Sequence, residues 1–176
     1  LTRLGKDLDF KDIYDIDWSC IYFANGAWND RSFPFAEIEN FSNFYYQNPF
    51  VYWFNHYHEA SYNGPSVNVR DNALVVGGGL ASIDVCKIIQ LELVKQKIES
   101  QIEGFDIVEM EHKGVPKYLE MHDIDYNTLN IHGATLVYRR DVENMPLTTI
   151  PDNADTEMIA KRKLARRKVL ENMQNK

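Results

Sequence analysis

Residues 72–94, NALVVGGGLASIDVCKIIQLELV, decide the fold. The opening NALVV is a short apolar run containing two valines, which predicts a compact strand over 72–76. Three glycines then break the run. From Leu80 to about Lys97 the apolar residues Ile83, Cys86, Ile89 and Leu93 recur at helical spacing, so a helix follows the turn directly. A glycine turn between a strand and a helix has a defined physical job. The first glycine makes the sharp bend, the second lets a diphosphate approach the backbone, and a small third residue lets helix and strand pack closely. The frame here is Gly77-x-Gly79-x-x-Ser82. The free N–H groups of the first helical turn, carried by Leu80, Ala81 and Ser82, add the positive end of the helix dipole. A glycine turn that binds nothing is the competing reading.

The next strand signal is ATLVY at 134–138, and it ends in Arg139 and Arg140. An acidic residue at this point would take the ribose 2′-hydroxyl of NAD, whereas arginine would pair with the 2′-phosphate of NADP. The two arginines therefore favour NADP(H). Asp141 comes two positions after the first arginine and is the weaker candidate; solvated surface arginines are the bland alternative. The spacing is unusual. Such a residue ordinarily follows the glycines by about 20 positions, whereas Gly77 and Arg139 are 62 apart. Residues 94–130 are thus expected to be a helical insertion, lying on the surface at the sheet edge and away from the glycine turn. Strand, helix and strand in alternation predict an α/β domain with a parallel sheet.

Outward from this unit the signals weaken. Leu8, Phe10, Ile13 and Tyr14 are spaced as a short helical turn, and 18–24 reads as a buried strand that stops at Asn25-Gly26-Ala27. Residues 41–62 hold ten aromatics, of which Phe50, Trp53, Phe54 and Tyr57 suit one helical face. Such a run could be a stacking platform for bases or a flavin ring; without flanking basic residues it reads as packing. His56-x-His58 with Glu59 is not read as a metal site, because residues two apart do not share a helix face. A final helix is expected over about 155–175. Its run Lys161-Arg-Lys-Leu-Ala-Arg-Arg-Lys168 places six positive charges in eight residues, read as a solvated face.

Composition excludes several classes. Hydrophobic residues make up 44% and aromatics number 22, too much core-forming material for a disordered chain. A net charge of −7 argues against nucleic-acid partners, since a phosphate backbone demands excess positive charge. No apolar run approaches the ~20 residues that span a bilayer. Cys20 and Cys86 are too far apart to form a CxxC pair, which fits a reducing, cytoplasmic setting. The chain opens on Leu1 and is read as a piece of a longer protein. No triad or carboxylate pair has an interpretable spacing, so no catalytic residue is assigned.

Two of these stretches, VVGGGLASIDV (75–85) and LVYRRDVENMP (136–146), together resemble the pyridine-nucleotide domain of glutamate synthase small-subunit (beta-subunit) type FAD-dependent oxidoreductases. Family members show VxGGGxxAxD followed by VxxxYRRxxxxMP. Upstream, IYFANGAW (21–28) resembles the strand ending in ATGAW that closes the family's first flavin-domain segment. The resemblance implies a Rossmann-like three-layer domain of the FAD/NAD(P)-binding type, with residues 1–40 from the flavin domain and 41–176 as the nucleotide domain. It implies that Gly77, Gly78 and Gly79 cradle the NADPH diphosphate while Arg139 and Arg140 face its 2′-phosphate. Leu80, Ala81 and Ser82 stand where the family has Asn or Asp, Thr and Ala; Asn25 replaces a Thr, and with Gly26 completes the implied cofactor-binding set. The implied cofactors are NADPH, and FAD in the full-length protein. The implied partners are the rest of the flavin domain and a partner subunit. The alternative is a nucleotide-sensing or interaction module that kept the fold without the chemistry.

Overall fold

The computed structural model describes residues 6–22, 30, 32–34, 37 and 40–174. Strand β1 (Ala73–Val76) and strand β2 (Ala134–Val137) pair in parallel, with Ala73 opposite Ala134 and Val76 opposite Val137. Between them in sequence come helices α3 (Leu80–Ile98), α4 (Ile107–Lys113) and α5 (Val115–Met121) and a 3-10 turn, Tyr126–Leu129. Ahead of β1 lie α1 (Phe10–Tyr14) and α2 (Gln47–His56), and after β2 a 3-10 turn, Val142–Asn144, and α6 (Thr156–Gln174). The chain is thus mixed α/β around a small parallel sheet.

Helix α3 is the hub, and its length explains why. Nineteen residues of helix span ~28 Å at 1.5 Å per residue. Four residues of strand reach only ~13 Å. The helix therefore overhangs its sheet, and its C-terminal half needs another cover. Ile88, Ile89, Leu91, Leu93, Val94 and Ile98 are all buried, which is more than one face of a helix. On one side they meet Phe50, Trp53 and Phe54 of α2; on another they meet Ile107, Met110, Val115, Tyr118 and Leu119 of α4 and α5. The single-stripe pattern of Ile83, Cys86, Ile89 and Leu93 captured only part of this.

Two expectations are corrected here. Residues 94–130 are not a surface appendage: Ile98, Met110, Tyr118 and Leu119 are at most 1% exposed, so the insertion supplies the centre of the core. It does stay clear of the glycine turn, because none of its residues lines the cavity there. The second concerns 18–24. Residues 18–22 are not strand, and Trp18, Ile21 and Tyr22 are exposed, with Trp18 instead donating from its indole N–H to the Ile13 carbonyl at 3.0 Å. A strand needs a ladder partner, and among the described residues the only strands pair with each other. Asn25 and Gly26 lie outside the described residues.

The sheet is covered on one face. Val75 is buried and Ala73 and Leu136 pack on the core, whereas Leu74, Val76 and Val137 on the other face are 66%, 62% and 44% exposed. Of the three layers expected, the described residues build two. At the start of the strands Asp71 closes the structure, accepting from the backbone N–H of His132 at 3.0 Å and of Gly133 at 2.6 Å, and lying 2.9 Å from His132 Nδ1. Gly133 sits at φ +80°, a conformation that favours glycine, as it turns into β2.

The basic run of α6 is not simply solvated. Arg166 is buried and donates to the carbonyl oxygens of Glu143 and, at 2.8 Å, Thr148. Lys163 and Arg167 pair with the Glu143 carboxylate, and these contacts, Lys163 first, hold that carboxyl below its usual range. Half of the run thus anchors the segment holding Met145 and Leu147, both buried, to the helix.

Candidate functional site

The glycine turn opens into a cavity of about 780 Å³, within the range of small-molecule sites. The opening runs along the edge of β1 that β2 does not occupy, from residues 67–72 to Gly77, Gly78 and Gly79, with Ala81, Ser82 and Val85 of α3 at that end. Its opposite wall is Phe44, Tyr45, Tyr46 and Phe50. The aromatic run 41–62 therefore divides. Trp53 and Phe54 are buried core, Phe50 is buried between core and cavity, and Trp53 stacks on Tyr57 with ring centroids 4.8 Å apart. Phe44 and Tyr46, edge to face at 5.0 Å, line the cavity with Tyr45. Sequence reasoning missed this wall. Composition marked the run as aromatic, but only the fold of 43–47 against β1 separates the lining rings from the buried ones.

The turn itself has a definite geometry. Gly77 N–H still donates to the Val137 carbonyl at 3.0 Å, the last bond of the parallel pair. Gly79, at φ −92° and ψ 176°, is the N-cap of α3. Ser82 turns back, donating from its hydroxyl to the Gly79 carbonyl at 2.6 Å and from its N–H to the same oxygen at 3.1 Å. With that oxygen held, the N–H groups of Gly78, Gly79, Leu80 and Ala81 have no hydrogen-bond partner among the described residues. Unpartnered donors at the positive end of a 19-residue helix are the arrangement that suits an anion. Leu80, 54% exposed, and Ala81 offer only backbone to it.

Arg139 and Arg140 are exposed, follow Tyr138 out of β2 and do not line the cavity. The structure thus brings the glycines, Ala81 and Ser82 into one opening and leaves the arginine pair outside its lining. Other titratable groups lie elsewhere. Cys86, half-buried on α3, has its thiol pushed up to about 11 by burial, which disfavours the thiolate. Glu92, Lys95 and Tyr57 form a cluster between α2 and α3: Lys95 Nζ donates to the Tyr57 hydroxyl at 3.1 Å and lies 3.9 Å from Glu92 Oε2. His56 Nδ1 lies 3.0 Å from Glu59 Oε1, and among the described residues no group of three His, Cys, Asp or Glu side chains could hold a metal. No helix among them is long and apolar enough to cross a membrane.

The site is therefore a glycine turn that leads, with its backbone donors unpartnered, into the start of a long helix in a mixed α/β unit. Comparison with curated proteins adds one likeness. Over 88 residues, half of this chain, it is 29% identical to a protein of Arabidopsis thaliana named NADPH:adrenodoxin oxidoreductase, mitochondrial. The matched stretch is 18% of that protein's length. No protein-family model matches the chain, and no solved structure does. The chain is thus a distant relative, over half its length, of a pyridine-nucleotide oxidoreductase.

Proposed function

We propose that this chain is the NADPH-binding portion of a glutamate synthase-like, FAD-dependent oxidoreductase, a Rossmann-like unit that positions the nicotinamide nucleotide for hydride transfer to a flavin. The observation that carries the reading is the open turn. A Cβ at Gly79 would meet nothing within 4 Å, so the backbone there is free for close approach by a diphosphate. The unpartnered N–H groups of Gly79, Leu80 and Ala81 would donate to it. Arg139 and Arg140 would take the 2′-phosphate, and the cavity bounded by Phe44, Tyr45 and Tyr46 would receive the far end of the nucleotide. NADPH supplies the hydride. The residues of this chain bind it, orient it and wall it from water, and need no acid or base of their own. FAD would be held by the remainder of the flavin domain, to which residues 1–40 belong in this reading, and a partner subunit would complete the enzyme.

Calorimetric titration with NADPH and NADH tests the reading. An arginine–phosphate pair stabilises by roughly 1.5–3 kcal/mol, so NADPH should bind about tenfold or more tightly than NADH. Arg140→Ala should erase most of that difference. Equal affinities in the unmutated protein would overturn the NADP(H) assignment, and no binding of either would overturn the site. A second reading, a nucleotide-sensing module without redox chemistry, is favoured by one observation: the helix start presents apolar Leu80 and Ala81. NADPH binding without flavin reduction in the full-length protein would decide for it.

A further inference from the structure

Read as letters, Gly77, Gly78 and Gly79 are equivalent; the space around each is not. A Cβ at Gly77 would lie 2.9 Å from Ser82 Cβ, so this glycine is small because α3 packs against it. A Cβ at Gly79 would meet nothing. At Gly78, itself buried, a Cβ would clash with the Tyr138 ring, 2.6 Å from its Cγ. The identity of the crowding atom matters. The far end of a long side chain can swing aside, but Cγ of a tyrosine is one bond from Cβ and moves only if χ1 changes well. A methyl at residue 78 therefore displaces the whole ring.

Tyr138 occupies a telling position. Val76 and Val137 are the last register pair, so Gly77 and Gly78 leave β1 alongside Tyr138 as it leaves β2. The ring bridges the two strand ends, with the glycine turn under it and Arg139 and Arg140 next along the chain. We propose that Tyr138 is a positioning residue for the nucleotide. Its ring, seated on Gly78, holds the turn so that Gly79 and the first helical turn face the cavity, and it sets the direction in which the two arginines depart. Diphosphate subsite and 2′-phosphate subsite are thereby coupled through one aromatic ring. This deepens the NADP(H) reading and rests on it. It also reassigns the middle glycine: Gly78 accommodates Tyr138, and Gly79 faces the ligand.

A double-mutant cycle read by calorimetric NADPH and NADH titration tests this, with thermal melts reporting folding. Gly78→Ala and Tyr138→Leu should each weaken NADPH binding about tenfold, while the double variant should stay within about twofold of Tyr138→Leu, because the methyl then has no ring to strike. Tyr138→Phe keeps the ring and should keep both affinity and preference. Tyr138→Leu should lower NADPH affinity more than NADH affinity, since the arginine direction is lost with the ring; a merely structural ring would lower both in proportion. Additive losses in the cycle, or an unchanged NADPH/NADH ratio in Tyr138→Leu, would overturn the inference while leaving the site intact. If Gly78→Ala fails to fold, the ratio in Tyr138→Leu against Tyr138→Phe decides alone. Failure of the unmutated protein to prefer NADPH would instead remove the NADP(H) reading, and this inference with it.

Discussion

Where β1 and β2 begin, the Asp71 carboxylate gathers the backbone N–H groups of His132 and Gly133 and faces His132 Nδ1; where they end, the N–H groups of Gly78, Gly79, Leu80 and Ala81 meet no partner among the described residues. The same two strands are closed at one end and open at the other. Backbone donors withdrawn from water must be paired, by the protein or by something that binds it. At the closed end an acidic side chain supplies the acceptor, and at the open end glycine removes the side chains that would keep an acceptor away. The difference teaches where to look for a ligand in such a sheet: beyond the carboxyl ends of the strands, where the protein leaves donors unsatisfied.

The largest effect should come from breaking the closed end. Asp71→Ala removes the acceptor from both backbone donors and should give the greatest fall in Tm of any variant named here, with the glycine turn at the far end of the cavity untouched. The hydrogen bonds from His132, backbone first and side chain second, hold the Asp71 carboxyl far below the usual range. A depressed folded-state value means stability that is present above the unfolded value of about 4 and lost as pH falls through the folded one. Melts from pH 7 downward should therefore show a decline below about pH 4 that is reduced in Asp71→Asn.

The open end should respond in the opposite currency. Gly79→Ala places a methyl where the diphosphate would approach, so NADPH affinity should drop about tenfold, roughly 1.4 kcal/mol. The extended backbone there suits alanine, whose lower unfolded-chain entropy offsets most of the ~0.5–1 kcal/mol that alanine costs at an N-cap, so Tm should move little. A fall in Tm without a fall in affinity would erase the contrast between the two ends.

A smaller effect tests a third circumstance, a buried carboxylate without full partners. Glu92 is 4% exposed and its Oε1 has no hydrogen bond. Burial raises its pKa, against the opposing contacts of Tyr57 and Lys95. For an acid with a raised folded-state value, the ionised form costs stability, and that cost grows as pH climbs above the unfolded value. Glu92→Gln should thus stabilise on the order of 1 kcal/mol at pH 7, with the gain vanishing near pH 4. Paired melts at the two pH values measure it. The smallest effect belongs to a surface pair at neither end. Lys87 Nζ lies 2.7 Å from Glu111 Oε1, the lysine exposed and the glutamate half-buried, and Lys87→Ala should cost no more than about 0.5 kcal/mol, diminishing in salt.

The sequence by itself determined the central unit. Apolar run, glycines and helical periodicity are local signals, so residues 72–76 and 80–97 were legible within a residue or two of β1 and α3, as were β2 and the limits of α6. The glycine frame and the arginine pair were legible for the same reason, as short motifs whose geometry is set by their own backbone. Tertiary structure alone decided the rest. A 19-residue helix overhanging four-residue strands drew 94–130 into the core, because exposed apolar helix must be covered by whatever segment can reach it. Ladder pairing, which 18–22 does not find, decided against a strand that composition favoured. Which aromatics of 41–62 line the cavity depended on a wall formed against β1, and which glycine serves Tyr138 depended on strand register. Each of these is a contact between residues far apart in the chain, and no local pattern encodes a distance that only packing sets.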